Sequence, residues 1–362
     1  MSFSYYNPVT SILGCGVLDK LPMLVGERKA FLITFPEARD LGMVSKIEAV
    51  LGERLAGLHE DVQPNPDVAE LASTYQNFWE EHHECGVIIA LGGGSAIDTA
   101  KALMVGTETN KFDDLLALLA TGKAFKPYKT KELIAVPTTA GTGSEVTPWA
   151  TIWDREQAKK YSLHLDETWP KAALIDANLM LTLPPSVTIQ SGLDALSHAL
   201  ESIWNRNANP VSRTFAVSAA KEVITTLPTL LKDMRNPSLR LSMAGAALKA
   251  GMAFSNTKTA LAHSISYEMT LKHGLPHGIA CSFTLPMVMR LAIGLNSDCD
   301  GALSEIFGPD LEQAPTRLRN FLESIGVQTE FSDYGVSEVE STQMVSKALD
   351  GVRGRNFIGA VA

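Results

Sequence analysis

Cysteine is scarce in this chain. Cys15, Cys85, Cys281 and Cys299 are spread over 362 residues, and no two of them form a C-x-x-C pair. This count and spacing exclude a disulfide framework and favour free thiols in a reducing compartment. The amino-terminal residues also lack the charged and apolar regions of a signal peptide, so we expect a cytoplasmic protein.

Excess basic charge and long apolar runs are missing as well. A formal net charge of −9 excludes the basic face that a nucleic-acid-binding protein presents. The most apolar short run, LLALLA at residues 115–120, is far shorter than the roughly 18 residues that a membrane helix needs. A length of 362 residues exceeds the roughly 250–300 that one core organises, so we expect two domains and a small-molecule ligand.

The two halves of the chain show different periodicities. Short apolar runs at residues 29–35, 85–94 and 132–143 alternate with helical segments such as 40–57, which is typical of a parallel sheet covered on both faces. After Pro184 nearly every segment has helical spacing. We therefore predict an α/β domain over residues 1–183 and an all-helical domain over residues 184–362.

A glycine turn in the first half is a candidate phosphate site. Gly92–Gly94 follow the apolar run Val87–Leu91, and Ser95 with Asp98 has the spacing of a helix capping box. Glycines let backbone amides approach a ligand, and a helix N-terminus favours an anion. The alternative is a tight turn between strand and helix without a ligand. The run is neither G-x-G-x-x-G nor a P-loop, so the ordinary Rossmann fingerprint is absent and a P-loop NTPase is disfavoured.

A second polar turn follows the next apolar run. Two such loops at the ends of neighbouring strands would form a ligand crevice, which suits a dinucleotide better than a mononucleotide. Its hydroxyl groups belong to Thr138, Thr139, Thr142 and Ser144.

Four side chains in the second half form a candidate metal site. Asp194 and His198 are four residues apart and share one helical face, although an ordinary polar pair has the same spacing. His263 and His277 lie in the segment HSISYEMTLKHGLPHG. One carboxylate and three imidazoles suit Fe²⁺ or Zn²⁺, with a coordination position open to a substrate oxygen.

The sequence resembles the iron-containing (group III) alcohol dehydrogenase family over nearly its whole length. The resemblance is carried by four segments in the family's order and spacing: GGGSAIDTAK, TTAGTGSEVT, GLDALSHALES and LAHSISYEMTLKHGLPHG. It implies a Rossmann-like dinucleotide-binding domain and an all-α metal-binding domain, the fold shared with dehydroquinate synthases. It also implies a homodimer in which metal and nicotinamide meet between the domains.

Residue roles follow from the same resemblance. Asp194, His198, His263 and His277 are the implied ligands of a divalent metal, with Fe²⁺ the first choice and Zn²⁺ the second. NAD(P)H is the implied cofactor. Its implied contacts are Gly93, Gly94, Ser95, Asp98, Thr138, Thr139, Thr142, Ser144 and Lys160.

Two positions depart from the family pattern. Tyr267 stands where many members have a proton-relaying histidine, so the proton route uses Tyr267, His273, water or the cofactor ribose. The alternative role of Tyr267 is an aromatic wall of the substrate pocket. Phe35 stands where NAD-preferring members often have an acid, which makes NADPH admissible, with Arg39 as a possible partner.

The region around the third ligand bears on the substrate. Thr259 lies four residues before His263, which predicts that the two share one helical face, and Lys258 flanks Thr259. A cation there suits an aldehyde with an anionic tail, although a solvated lysine is the plain alternative. The local sequence looks like the phosphonoacetaldehyde reductase branch, so phosphonoacetaldehyde is the first candidate substrate. The alternatives are a generic short-chain alcohol dehydrogenase or a maleylacetate reductase-type enzyme. More remote ones are a dehydroquinate synthase-like lyase and a nucleotide-sensing module with a structural metal.

Overall fold

The structure is a computed structural model that describes residues 2–157 and 159–360. The described residues form two compact units. The α/β unit comprises Pro8–Thr139 and Ser144–Thr182, and the helical unit comprises residues 2–7, 140–143 and 183–360.

A six-stranded parallel sheet, in the order β1-β10-β7-β4-β2-β3, organises the α/β unit. Two antiparallel pairs, β5–β6 and β8–β9, lie outside this sheet. The strands are β1 (Thr10–Gly14), β2 (Ala30–Thr34), β3 (Leu55–His59), β4 (Val87–Gly92), β5 (Val105–Gly106), β6 (Lys129–Thr130), β7 (Glu132–Pro137), β8 (Trp149–Asp154), β9 (Lys159–His164) and β10 (Ala172–Asp176).

Both faces of this sheet are buried. Along β4, Ile88 and Ala90 belong to one hydrophobic cluster, whereas Val87, Ile89 and Leu91 belong to another. Successive side chains of a strand point to opposite faces, so a continuous apolar run is what a doubly covered strand requires. The helices of this unit are α1 (Leu21–Val25), α2 (Met43–Leu51), α3 (Val68–Glu81), α4 (Gly94–Leu103) and α5 (Phe112–Ala120).

The helical segment predicted over residues 40–57 is wrong at its carboxyl end. The helix ends at Leu51, and Gly52 follows with φ of 53°, a left-handed conformation that glycine adopts without strain. Leu55–His59 then form β3, which pairs with β2. Sequence analysis also missed β1 and the β8–β9 pair, because their apolar alternation is short and broken by polar residues.

Nine α-helices are described in the helical unit, in which α6, α7 and α8 pack pairwise against one another. No helix among the described residues is long and apolar enough to cross a membrane. The predicted fold class is confirmed. The helices are α6 (Pro185–Ile203), α7 (Pro210–Leu230), α8 (Pro237–Thr257), α9 (Leu261–His273), α10 (His277–Ala280), α11 (Leu285–Ala292), α12 (Ser297–Phe307), α13 (Ala314–Ser324) and α14 (Glu338–Asp350).

Candidate active site

The four predicted metal ligands converge on one carboxylate oxygen in the helical unit. Asp194 and His198 lie one turn apart on α6, and both are buried. The Nε2 atoms of His198, His263 and His277 lie 3.7, 3.4 and 3.7 Å from Oδ1 of Asp194. Residues separated by more than eighty positions in the sequence therefore present their donor atoms to one point.

Glu201 fixes the orientation of His263. This fully buried carboxylate lies 2.7 Å from Nδ1 of His263 and accepts hydrogen bonds from the backbone N–H groups of Ala260 and Ala262 at the start of α9. A proton on Nδ1 leaves Nε2 of the same ring as an acceptor directed at Asp194. This is the usual arrangement of a metal-binding histidine and its supporting carboxylate.

A close approach of α10 to α6 positions His277. A Cβ atom on Gly278 would lie 1.9 Å from the backbone oxygen of Gln190, so only glycine permits this contact. The side chain of His277 is 44% exposed, whereas those of Asp194 and His263 are buried. The cluster is therefore open to solvent on the His277 side, where a small molecule can enter.

Cys281 also belongs to this cluster. Donor atoms of Asp194, His263, His277 and Cys281 all lie within 4.8 Å of one another. The Cys281 thiol donates to Oδ1 of Asp194 at 3.5 Å, and burial raises its pKa well above the ordinary value. Cys281 is a further candidate ligand that sequence analysis did not assign.

The electrostatics of the cluster favour binding of a cation. Burial opposes ionisation of Asp194, but the neighbouring imidazoles of His198 and His263 outweigh it and hold the pKa of this carboxyl well below its usual range. Burial lowers the pKa of His198 to about 4, so its imidazole is neutral near pH 7, as a metal ligand must be. Burial also disfavours a charge on His263, but Glu201 outweighs it and raises the pKa of that ring.

These residues fit a divalent transition metal. Ligands bonded tetrahedrally at about 2.0–2.2 Å are separated by roughly 3.4 Å, close to the distances found around Asp194 Oδ1. Nε2 of His263 is buried and has no hydrogen-bond partner among residues 2–157 and 159–360. A buried polar atom without a partner is costly, and a bound cation would remove that cost.

Glu201 is the most informative residue that sequence analysis missed. It follows Asp194 and His198 by seven and three positions on α6, so the segment GLDALSHALES carries all three on one helical face. The helical spacing of Glu201 is therefore visible in the sequence, although Glu201 was not predicted as a site residue.

The two predicted proton donors occupy different surroundings. Tyr267 is half-buried on α9, one turn after His263, and burial of its hydroxyl raises the pKa of the phenol. His273 is ten residues after His263 on the same helix, about 15 Å along its axis. Nε2 of His273 lies 3.3 Å from a carboxylate oxygen of Glu340. This geometry favours Tyr267 over His273 for a role at the cluster.

Thr259 does not lie on the helical face of His263, as its spacing suggested. Helix α9 begins at Leu261, and Thr259 precedes it as a buried residue of the connection from α8. Lys258 ends α8 with φ of 65°, and the residue is exposed. The helical interpretation failed because this left-handed residue turns the chain between two helices.

The glycine turn of the α/β unit leaves a helix N-terminus uncapped. The predicted capping box of Ser95 and Asp98 is wrong, because α4 begins at Gly94 with Gly93 as its N-cap, and no described side chain caps it. The hydroxyl of Ser95 instead accepts a hydrogen bond from the backbone N–H of Asn65. The free N–H groups of the first turn remain available to an anion, as a phosphate site requires.

Asp98 and Ser144 belong to a buried network around Lys101. The ammonium group of Lys101 donates to the backbone oxygens of Ser144 and Trp149, both at 2.7 Å, and to the Ser144 hydroxyl at 2.8 Å. That hydroxyl donates to Asp98, whose second oxygen accepts from the backbone N–H of Thr151. Burial lowers the pKa of Lys101 to about 8. This geometry favours a supporting role for Asp98 and Ser144 beneath the turns.

The remaining predicted cofactor residues are distributed as follows. Thr138 and Thr139 follow β7, whose last residue pairs with Gly92, and a Cβ on Gly93 would lie 3.3 Å from the Thr139 hydroxyl. The two predicted turns are therefore adjacent. Thr142 belongs to the helical unit, and Lys160 on β9 lies 5.0 Å from the ring of Trp153.

Arg39, considered for a 2′-phosphate, is already paired with acids. Its guanidinium lies 3.0 Å from Glu60 and 3.4 Å from Glu48, and the hydrogen bond to Glu60 raises its pKa. Phe35, at the predicted discriminating position, directly follows β2. These ion pairs oppose binding of a second negative group by Arg39.

Comparison with known proteins agrees with this geometry. The profile described as iron-containing alcohol dehydrogenase matches residues 8–177, and the profile of the Fe-containing alcohol dehydrogenase family, C-terminal, matches residues 188–360. Alcohol dehydrogenase 4 of Saccharomyces cerevisiae is 30% identical over 79% of this chain and 75% of its own length. Sulfoacetaldehyde reductase of Bilophila wadsworthia is 27% identical over 98% of this chain and 94% of its own.

A solved structure extends this comparison to the whole fold. The sulfoacetaldehyde reductase of Bifidobacterium kashiwanohense, in complex with NAD⁺, superposes with a TM-score of 0.90 at 29% identity. The superposition covers 100% of this chain and 95% of that one. The chain belongs to the iron-containing alcohol dehydrogenase family. It is an oxidoreductase that acts on alcohols and aldehydes with a nicotinamide cofactor.

Proposed function

We propose that this chain reduces a short aldehyde with NAD(P)H at a divalent metal held by Asp194, His198, His263 and His277. The observation that carries the proposal is the convergence of three imidazole nitrogens on one carboxylate oxygen. When bound, the cation would act as a Lewis acid toward the carbonyl oxygen, and the nicotinamide would supply the hydride.

The side chains around the cluster have defined parts in this reaction. Asp194 offers the negative charge, and Glu201 keeps the ring of His263 in the orientation for binding. The phenol of Tyr267 is protonated at neutral pH, since its ordinary pKa is 10.0 and burial raises it further, and it can donate a hydrogen bond to the substrate oxygen. The buried side chains of Asp194, His198 and His263 also keep water from this part of the site.

For the substrate, we propose an aldehyde with a phosphonate or similar anion, with phosphonoacetaldehyde as the first candidate. The segment TKTALAHSISY supports this choice by its likeness to the phosphonoacetaldehyde reductase branch. Two proteins similar to this chain over nearly its whole length are named as sulfoacetaldehyde reductases, and a sulfonate is likewise a tetrahedral anion. Lys258 and Thr259 were the first candidates to contact that anion.

Four finer features remain proposals from the sequence. We propose Fe²⁺ before Zn²⁺ as the metal, since carboxylate and imidazole donors suit both. We also propose that the enzyme uses NADPH as well as NADH, that it forms a homodimer, and that it is located in the cytoplasm.

The metal site is tested by Asp194→Ala and His263→Ala variants, with His83→Ala at an exposed position of the α/β unit as the control. We expect both site variants to lose the bound metal and the oxidation of NADH by an aldehyde, and the control to retain both. Full metal occupancy in both site variants would refute the assignment. Metal binding without net oxidation of the cofactor would instead favour a lyase or a sensing module.

A further inference from the structure

The segment after α14 returns to the metal-binding helices. A Cβ on Gly354 would lie 1.9 Å from the backbone oxygen of Ala348, so the chain turns tightly against the end of α14. Phe357 is buried and forms a bridge with Asn205, and Asn356 donates to the backbone oxygen of Thr259 at 2.8 Å. This segment is held against the start of α9 by several independent contacts.

Arg353 is the charged residue that this segment brings to the site. Nη1 of its guanidinium donates to the Thr259 hydroxyl at 2.9 Å, and its central carbon lies 5.1 Å from the centre of the Tyr267 ring. No carboxylate among residues 2–157 and 159–360 forms an ion pair with it. A guanidinium has five N–H donors, and among the described residues the Thr259 hydroxyl accepts from one of its nitrogens.

Both residues that Arg353 contacts, Thr259 and Tyr267, lie near residues of the metal cluster. Thr259 precedes Ala260, whose backbone N–H donates to Glu201, and Glu201 in turn contacts Nδ1 of His263. Tyr267 follows His263 by one turn of α9, about 6 Å along the axis. The guanidinium therefore lies beside the ring of the predicted proton donor, which is one helical turn from the ligand His263.

We propose that Arg353, together with Thr259, binds the anionic group of the substrate. This inference rests on the proposed function and names the residue that recognises the phosphonate or sulfonate. The planar fork of a guanidinium matches two oxygens of a tetrahedral anion, and the Thr259 hydroxyl is a further donor beside it.

Arg353 is a better anion site than Lys258. Lys258 is exposed at the end of α8, where water and salt screen its charge. Arg353 is partly buried, and the Tyr267 ring excludes water from one of its faces. A charge contact gains strength when water is removed, so the same anion binds more tightly at Arg353.

The test measures kcat and KM for phosphonoacetaldehyde, sulfoacetaldehyde and propanal with the wild-type enzyme and an Arg353→Gln variant. We expect kcat/KM for the two anionic aldehydes to fall about ten- to a hundredfold, and the value for propanal to stay within about twofold. The loss should be in KM rather than kcat, because the anionic group does not react. Comparing the phosphonate with the sulfonate shows which anion the site prefers.

Arg355→Gln is the matched control, because Arg355 is exposed in the same segment and donates to the backbone oxygen of Asp350. This variant should leave kcat/KM unchanged for all three substrates. Arg353→Lys keeps the charge but loses the fork, so it should retain part of the preference even if Arg353→Gln folds poorly.

Three results would overturn the inference, and they differ from one another. An equal loss on propanal would mean that Arg353 only holds the segment in place. An unchanged preference in Arg353→Gln, with a large loss in Lys258→Gln, would move the anion site to Lys258. A wild-type enzyme without preference for the anionic aldehydes would refute the proposed substrate class as well.

Discussion

Each of the two units contains a cluster of polar side chains, and the two clusters differ in how their donor atoms are used. In the α/β unit, Lys101, Ser144 and Asp98 bond to one another and to backbone groups. In the helical unit, the imidazoles of His198, His263 and His277 direct nitrogens at one oxygen of Asp194. The first cluster is closed by the protein, whereas the second is open to a ligand.

This difference separates a structural network from a binding site. A buried charge is stable only when its partners satisfy it, and the Lys101 network supplies those partners from the chain itself. The cluster around Asp194 has a buried imidazole nitrogen with no hydrogen-bond partner among the described residues. A motif therefore indicates which polar side chains are present, and the geometry of those side chains decides whether they bond to one another or bind a ligand.

The largest effect is expected from Lys101→Met, which opens the closed network. It leaves the half-buried Asp98 carboxylate without a nearby cation and removes the donor to the oxygens of Ser144 and Trp149, which costs about 3–5 kcal/mol of folding free energy. Urea unfolding measures this loss, and Lys123→Met at an exposed position should change it by less than about 0.5 kcal/mol. The folded variant should keep its metal, and loss of the metal would contradict the separation between the two clusters.

A smaller effect is expected from Glu201→Gln, which replaces the carboxylate that orients His263 in the metal cluster. The amide cannot accept as strongly from Nδ1 of His263 or from the N–H groups that begin α9, so metal affinity should fall about ten- to a hundredfold. Competition with a chelator measures the affinity. Glu323→Gln, an exposed change on α13, serves as the control. Unaltered affinity in Glu201→Gln would show that this carboxylate only caps the helix.

The smallest effect concerns pH and tests Glu145, which is buried beside Ser144 in the closed network. Burial raises its pKa from 4.5 to about 7, so the folded state holds a proton that the unfolded state releases between these values. Stability from this group is full below the unfolded value and is lost as pH rises through the folded one. Wild-type stability should fall by about 1–2 kcal/mol between about pH 5 and about pH 7.5, relative to Glu145→Gln. Parallel stability curves for the two proteins would be the opposite result.

The core strands of the sheet were predictable because they are buried on both faces. Val87–Gly92 is an uninterrupted apolar run, and the structure has β4 there. The peripheral β1 and β8 are interrupted by polar residues, Thr10 and Ser11 in the first and Thr151 and Asp154 in the second, so their local apolar pattern is weak. The helix predicted over residues 40–57 ends early because Gly52 adopts a left-handed conformation, which composition alone does not reveal.

The candidate site divides in the same way. Asp194 and His198 were predicted from helical spacing and His263 and His277 from the histidine-rich segment, and the resemblance to a known family implies the same four residues. Arg353 was not predictable, because it is ninety residues from His263 and no local periodicity connects them. Its contact with Thr259 exists only once the segment after α14 has packed on α9.

The sequence by itself determined the buried core strands, the long helices and the side chains that are able to bind a metal, because periodicity and side-chain chemistry are local properties. Only the tertiary structure decided which of those polar side chains satisfy one another and which remain open. Asp98 and Asp194 are both aspartates in family motifs, yet one bonds to Ser144 and Thr151 while the other is surrounded by imidazoles. Hydrogen bonds and ion pairs form over a few ångströms between segments far apart in the chain, so their partners are set by packing.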